Sequence, residues 1–227
     1  MSTTRTPDQV KAEYIRVMGD QLGPLYAELW QEVAGLHMKW AEFVTLFGTK
    51  PSRIELLNKV APEFFSIVQN ALWENALLHI ARLTDPQKSG RKPNLSILRM
   101  IELIDHPETK VTAGDLANKA LAATTFCRDW RNRRIAHRDL DLALANGAVP
   151  LELASREKVR EGLKALAAVL NAVESHYTGS TTYFEFESDS ALSLLYVLDD
   201  GITADKERWE RRKSGNFVTS DLRQRDL

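Results

Sequence analysis

The chain has 227 residues, which suits one fairly large helical domain, or one domain with an appendage, rather than two full domains. Lys and Arg number 30 against 31 Asp and Glu, a net charge of −1, so no global positive field marks a nucleic-acid binder and any RNA contact must come from a local patch. The single cysteine, Cys127, excludes an internal disulfide and a cysteine-based zinc site.

In chain order, a first helix is expected from Pro7 to about Leu22. A long one follows, opened by Gly23-Pro24 and closed at Gly48, with Leu25, Leu29, Val33, Leu36, Trp40, Phe43, Val44 and Phe47 along one side. Lys50-Pro51-Ser52 starts a short helix and Ala61-Pro62 restarts it, because proline is tolerated in a first turn and disfavoured later. The restarted helix carries a broad apolar side up to Thr84-Asp85-Pro86, which makes it central to the core. Residues 86–94 are rich in turn formers and charge and read as an exposed, mobile loop. A short helix over Leu95–Ile104 precedes a long one from near Asp115 to Leu144, stopped by Asn146-Gly147. Ser155 caps a helix that ends before Gly179. Thr181 to Glu187 alternates polar and apolar residues and reads as extended, with no partner strand in view. A last helix spans about Ser190 to Arg212, with Asp199-Asp200-Gly201 as a potential break, and the tail from Ser214 is polar enough to be disordered. The fold class is all-α.

Chemistry concentrates in the long helix. Arg131-Asn132-Arg133-Arg134-Ile135-Ala136-His137 joins a permanent, forked cation to the one side chain that gives and takes protons near neutrality. Those two groups suffice to cleave RNA, whose own 2'-hydroxyl is the nucleophile, without a metal. Arg128, Arg133, Arg134 and Arg138 complete the densest basic cluster and are the candidate RNA-backbone contacts, opposed only by Asp129, Asp139 and Asp141. On an ideal helix Arg131 and His137 lie about 120° apart in projection and about 9 Å apart along the axis. They meet only across a cleft, or in a helix distorted at Ile135-Ala136. The bland alternative is a solvated face laced by pairs such as Asp129–Arg133 at i,i+4.

Together with Trp73-Glu74-Asn75-Ala76-Leu77-Leu78-His79-Ile80-Ala81-Arg82-Leu83-Thr84-Asp85-Pro86, the stretch Arg128–Asp139 resembles the AbiU-type abortive-infection branch of the HEPN superfamily, over roughly residues 10 to 180. The resemblance implies a HEPN-like antiparallel helical bundle over residues 1–180, with 181–227 as a C-terminal helical extension and polar tail packed on the same domain. It implies a homodimer whose two motifs face one composite groove, and a metal-independent endoribonuclease of abortive-infection or toxin–antitoxin defence. In that reading Arg131, or Arg133 or Arg134 in its place, stabilises the scissile phosphate, His137 transfers protons and Asn132 orients the phosphate or the histidine. RNA and an antitoxin protein are the further partners. The rivals are a non-catalytic nucleotide- or RNA-binding module of the same fold and a pure protein-interaction partner.

Glu74 and Arg82 fall on roughly one side of their helix, which reads as a buried packing pair, or as support for the site. Trp130, beside the arginines, is a core or interface residue or a platform for a base. The histidines are scattered, with no His-x-x-x-His or Glu-x-x-His pair, so no metal and no cofactor is expected. Met1–Pro7 has no signal-peptide core, and no apolar run approaches membrane-spanning length, so a soluble cytoplasmic protein without a membrane partner is expected.

Overall fold

The computed structural model describes residues 6–222. They are all-α, with ten α-helices and one two-stranded hairpin among the described residues. Contacts group the chain into two compact units, residues 1–40 with 71–186, and residues 41–70 with 187–227.

Helix α1 (Pro7–Phe47) is interrupted at Gly19, where φ is 80° and ψ 173°. Lys11 pairs with Glu28 at 2.6 Å, and the Tyr14 and Tyr26 rings meet at 4.8 Å. Seventeen residues of straight helix would separate the first pair by about 25 Å, so the chain reverses at Gly19 into two packed arms. The expected break at Gly23-Pro24 is therefore corrected to Gly19, and the helix runs on through Pro24. Gly23 has a different role: a Cβ there would sit 2.5 Å from Ile15 Cα, so it is the point of closest approach between the arms.

In the first unit, α3 (Pro62–Leu83) supplies Leu77, Ile80 and Ala81 to a core shared with Leu29, Val33 and Leu36 of α1. The 86–94 loop is exposed, as expected, and folds into a small hairpin of β1 (Lys88–Ser89) and β2 (Lys92–Pro93). Ser96 caps α4 (Ile97–Glu102), and His106 caps α5 (Pro107–Ala123).

The single long helix expected over Asp115–Leu144 is not formed. It is replaced by the end of α5, then α6 (Thr125–Trp130), a π-turn over Arg131–Ile135 and a short α7 (Leu140–Leu144). The Thr124 hydroxyl bonds back to the Ala120 carbonyl at 2.7 Å, which loosens the helix there. Its methyl faces Gly162 of α8 (Arg156–Thr178), where a Cβ would lie 2.9 Å away. Gly162 thus lets α5 and α8 pack closely along their length.

Ser155 caps α8 as expected, and Gly179 ends it in the left-handed region. The 181–187 segment is extended without a strand partner because α8 side chains take the place of a ladder. Asn171 holds Thr182 at both its N–H and its carbonyl, each at 2.9 Å. Phe184 is buried against Trp30 and His37.

In the second unit, Leu46, Leu57 and Phe65 pack with Ala191 and Leu195, joining the end of α1, α2 (Pro51–Val60) and the start of α3 to α9 (Asp189–Lys213). Asp199-Asp200-Gly201 does not break α9. Disorder from Ser214 is corrected for the described part: α10 (Thr219–Leu222) presents buried Asp221 to Arg211, at 2.7 and 2.9 Å. Residues 223–227 lie outside the described residues. Among the described residues no helix is long and apolar enough to cross a membrane.

Candidate active site

The site lies within the first unit, where the C-terminus of α3 faces α6 and the π-turn. Asp85, just past the last turn of α3, organises it. Its Oδ1 accepts from Arg128 at 3.0 Å and from Arg131 at 2.7 Å, and Arg128 also donates to the Thr84 carbonyl at 2.7 Å. The carboxylate is only 14 % exposed, whereas the two guanidiniums are 36 % and 31 % exposed. One shielded anion thus holds two cations side by side, leaving a local charge of +1 and several guanidinium N–H donors unclaimed.

The π-turn sets where the motif ends. The Ala136 N–H bonds to the Arg131 carbonyl at 2.8 Å, five residues back, and the helix then opens at Ala136–His137. The straight helix that separates Arg131 from His137 by about 120° therefore does not exist here. His137 is exposed and its side chain forms no hydrogen bond or ion pair among the described residues, and the same holds for the side chains of Asn132 and Arg138. No hydrogen bond joins Arg131 to His137.

The other arginines are engaged. Arg133 donates to Asp139 at 3.2 Å, Asp129 at 3.4 Å and the Val149 carbonyl at 2.6 Å. The bond to Asp139, with help from Asp129, raises its pKa further. Asp139 is held below the usual carboxylate range, first by the Leu142 N–H that it caps and then by Arg133. Arg134 lies 3.6 Å from Glu74 and 5.5 Å from the Trp130 ring centroid. Trp130 donates to the Glu152 carbonyl at 2.9 Å and meets Trp73 edge-on, so it ties the 149–152 loop to the motif.

The buried Glu74–Arg82 pair expected from the sequence is not formed. Arg82 is exposed without a partner among the described residues, and Glu74 turns to Arg134. Sequence reasoning also missed the central role of Asp85, whose only signal is an acid placed directly after the last turn of α3. No group of three or more His, Cys, Asp or Glu side chains that could hold a metal ion occurs among the described residues.

Residues 19–195 match the family model HEPN_AbiU2, described as AbiU2, which covers well over half of the chain. The chain belongs to the HEPN_AbiU2 family. It is an abortive-infection HEPN-type domain, and in this AbiU2-type domain both the Arg128–His137 stretch and Asp85 fall inside the matched region. No curated protein and no solved structure matches the chain.

Proposed function

We propose that this AbiU2-type protein is an endoribonuclease that cleaves RNA through the ribose 2'-hydroxyl using side chains alone. It acts in the cytoplasm, in abortive infection or as the toxin of a toxin–antitoxin pair. The observation that carries the reading is the pairing of Arg131 and Arg128 on shielded Asp85, next to a π-turn that releases an exposed, unpartnered His137. The arginines offer their remaining donors to the scissile phosphate and to the charge that grows on it. His137 takes the 2'-hydroxyl proton, O2' attacks phosphorus, and the bond to O5' breaks. The departing O5' needs a proton in return, and His137 of a second copy in a homodimer supplies it. The products are a 2',3'-cyclic phosphate and a 5'-hydroxyl. Asn132, exposed one residue beyond Arg131, orients the phosphate.

The assay is digestion of total RNA by the purified protein in the presence of a chelator, with end-group analysis. Cyclic phosphate ends that vanish in His137→Ala and in Arg131→Ala, at unchanged helical content, are the expected result. Strict dependence on magnesium or manganese would overturn the mechanism. Since no hydrogen bond couples Arg131 to His137, the same arginine pair also suits a module that holds RNA without cutting it, and intact, protein-bound RNA would select that reading.

A further inference from the structure

Positive charge in the first unit is unevenly compensated. Most cations there are paired, as Lys11 is with Glu28, Arg99 with Glu102, and Lys110 with the carbonyls of Glu102 and Ile104. Those whose side chains no hydrogen bond or ion pair engages among the described residues are Arg82, Lys88, Arg91, Lys92, Lys119 and Arg138, all of them exposed. All but Lys119 lie in the last turn of α3, in the β1–β2 hairpin that follows Asp85, or just past the π-turn. Residues 86–101 contain no Asp or Glu at all. In a chain of net charge −1, unbalanced cations gathered around the arginine pair make a local surface for a polyanion.

The hairpin presents these cations in a defined shape. Lys88 pairs opposite Pro93 and Ser89 opposite Lys92, and Gly90, at φ 61°, opens the two-residue turn Gly90-Arg91. The Asn94 amide clamps the base, donating to the Pro86 carbonyl at 2.8 Å and to Ser89 Oγ at 2.9 Å, while the Asn94 N–H bonds to the Gln87 carbonyl at 2.9 Å. All of residues 86–93 are exposed, so this order serves no core. Side chains alternate between the faces of a strand. Lys88 therefore leaves one face together with Pro93, Lys92 leaves the other together with Ser89, and Arg91 stands at the tip.

Cations on both faces and at the tip suit a groove. An unpaired strand laid across the ribbon would meet one face only, whereas the narrow major groove of A-form RNA brings phosphates of both strands to either side of whatever enters it. Lys88 follows Asp85 by three residues, so their Cα atoms are at most about 11 Å apart, and a stem gripped by the hairpin adjoins a strand held at Arg131. Regular stacking in a duplex keeps O2' out of line with the P–O5' bond, which places the cut in unpaired nucleotides beside the stem.

We propose that the hairpin enters the narrow groove of a base-paired RNA stem, with Lys88 and Lys92 on phosphates of opposite strands and Arg91 reaching inward, while Arg128 and Arg131 hold the adjoining unpaired segment. The place of the cut rests on the cleavage reading above. The grip on a stem is testable alone.

The experiment is fluorescence anisotropy of the full chain against salt, with a stem-loop RNA and with the same nucleotides permuted so that they cannot pair. The stem-loop should bind more tightly. Lys88→Gln and Lys92→Gln should each flatten its log–log salt slope by about 0.9, and both together with Arg91→Gln by roughly two to three units, taking the duplex value per phosphate contact. Melting temperatures should stay unchanged, because these side chains have no partner to lose. The permuted RNA should lose far less, and Lys119→Gln, outside the cluster, should leave both slopes as they are. An unchanged stem-loop slope makes the hairpin a solvated surface and overturns the proposal, as does equal flattening by Lys119→Gln. An effect confined to one of Lys88 and Lys92, or an equal loss on the permuted RNA, overturns insertion into a groove. A wild-type protein that grips the stem-loop in this pattern but leaves it intact refutes the nuclease reading and leaves the grip standing, whereas cleavage with no effect of the hairpin variants refutes the grip alone.

Discussion

Replacing Asp85 by Asn tests whether one carboxylate aims the arginine pair. The side chain keeps its shape and one carbonyl acceptor but loses its charge, so the contacts to Arg128 and Arg131, at 3.0 and 2.7 Å, survive as neutral hydrogen bonds. Charge-assisted bonds are roughly twice as strong as neutral ones. With the arginines about a third exposed, each contact is worth ~1 kcal/mol, between the buried and surface cases, and the substitution removes about half of that sum. A loss of ~1 kcal/mol lowers the melting temperature of a chain this size by roughly 2–4 °C. The local charge meanwhile rises from +1 to +2, so RNA should bind more tightly at low salt and the log–log salt slope should steepen by up to ~0.7. Cleavage should move the other way, falling ~10- to 100-fold, because guanidiniums no longer fixed by an anion misplace the phosphate. Thermal melts, anisotropy against salt and single-turnover cleavage measure the three effects. Cleavage that rises together with affinity would refute the reasoning, since Asp85 would then be competing with phosphate rather than aiming the arginines at it.

Arg133 is committed to Asp129, Asp139 and the Val149 carbonyl, so Arg133→Gln should lower the melting temperature by several degrees while leaving the salt slope of RNA binding nearly unchanged. Arg138→Gln, at an exposed residue without a partner, should do the reverse; if Arg133→Gln flattens the slope instead, Arg133 contacts RNA in solution. The folded-state pKa of Asp221 is depressed, first by Arg211 and then by the Val218 N–H. Its stabilising contribution is therefore present above the unfolded aspartate value of about 4 and is lost as pH falls through the folded value, so Asp221→Asn should destabilise at pH 7 and progressively less in acid. Equal destabilisation across that range in melts of the two proteins would count against the ion pair. Gly162→Ala should cost ~1–3 kcal/mol, read by urea unfolding, because the new methyl meets the Thr124 methyl; a neutral effect would show that α5 and α8 have slack there.

Local chemistry was legible wherever a residue acts on its own backbone. Pro51 and Pro62 start helices because proline fits only a first turn, Ser155 caps α8 through its own hydroxyl, and Gly179 ends that helix in a conformation few other residues adopt. The arginine-rich motif was visible for the same reason, since cations and a histidine in one short stretch declare their chemistry by type. What the sequence could not decide were features that depend on a distant partner. Gly-Pro at 23–24 is the stronger local punctuation, yet the chain reverses at Gly19, because Gly23 is needed where the two arms touch. Apolar spacing runs on past Thr124, and the break there accompanies its back-bonded hydroxyl and the close approach of Gly162, 38 residues away. Asp199-Asp200-Gly201 reads as a stop, but α9 continues through it, with Ala191 and Leu195 packed in its core. Asp85 and Arg131 are 46 residues apart, and their pairing is decided only by bringing the end of α3 against the π-turn. An ion pair between separate helices has no sequence period, so tertiary structure alone determines which arginines are held for chemistry and which are tied into the scaffold.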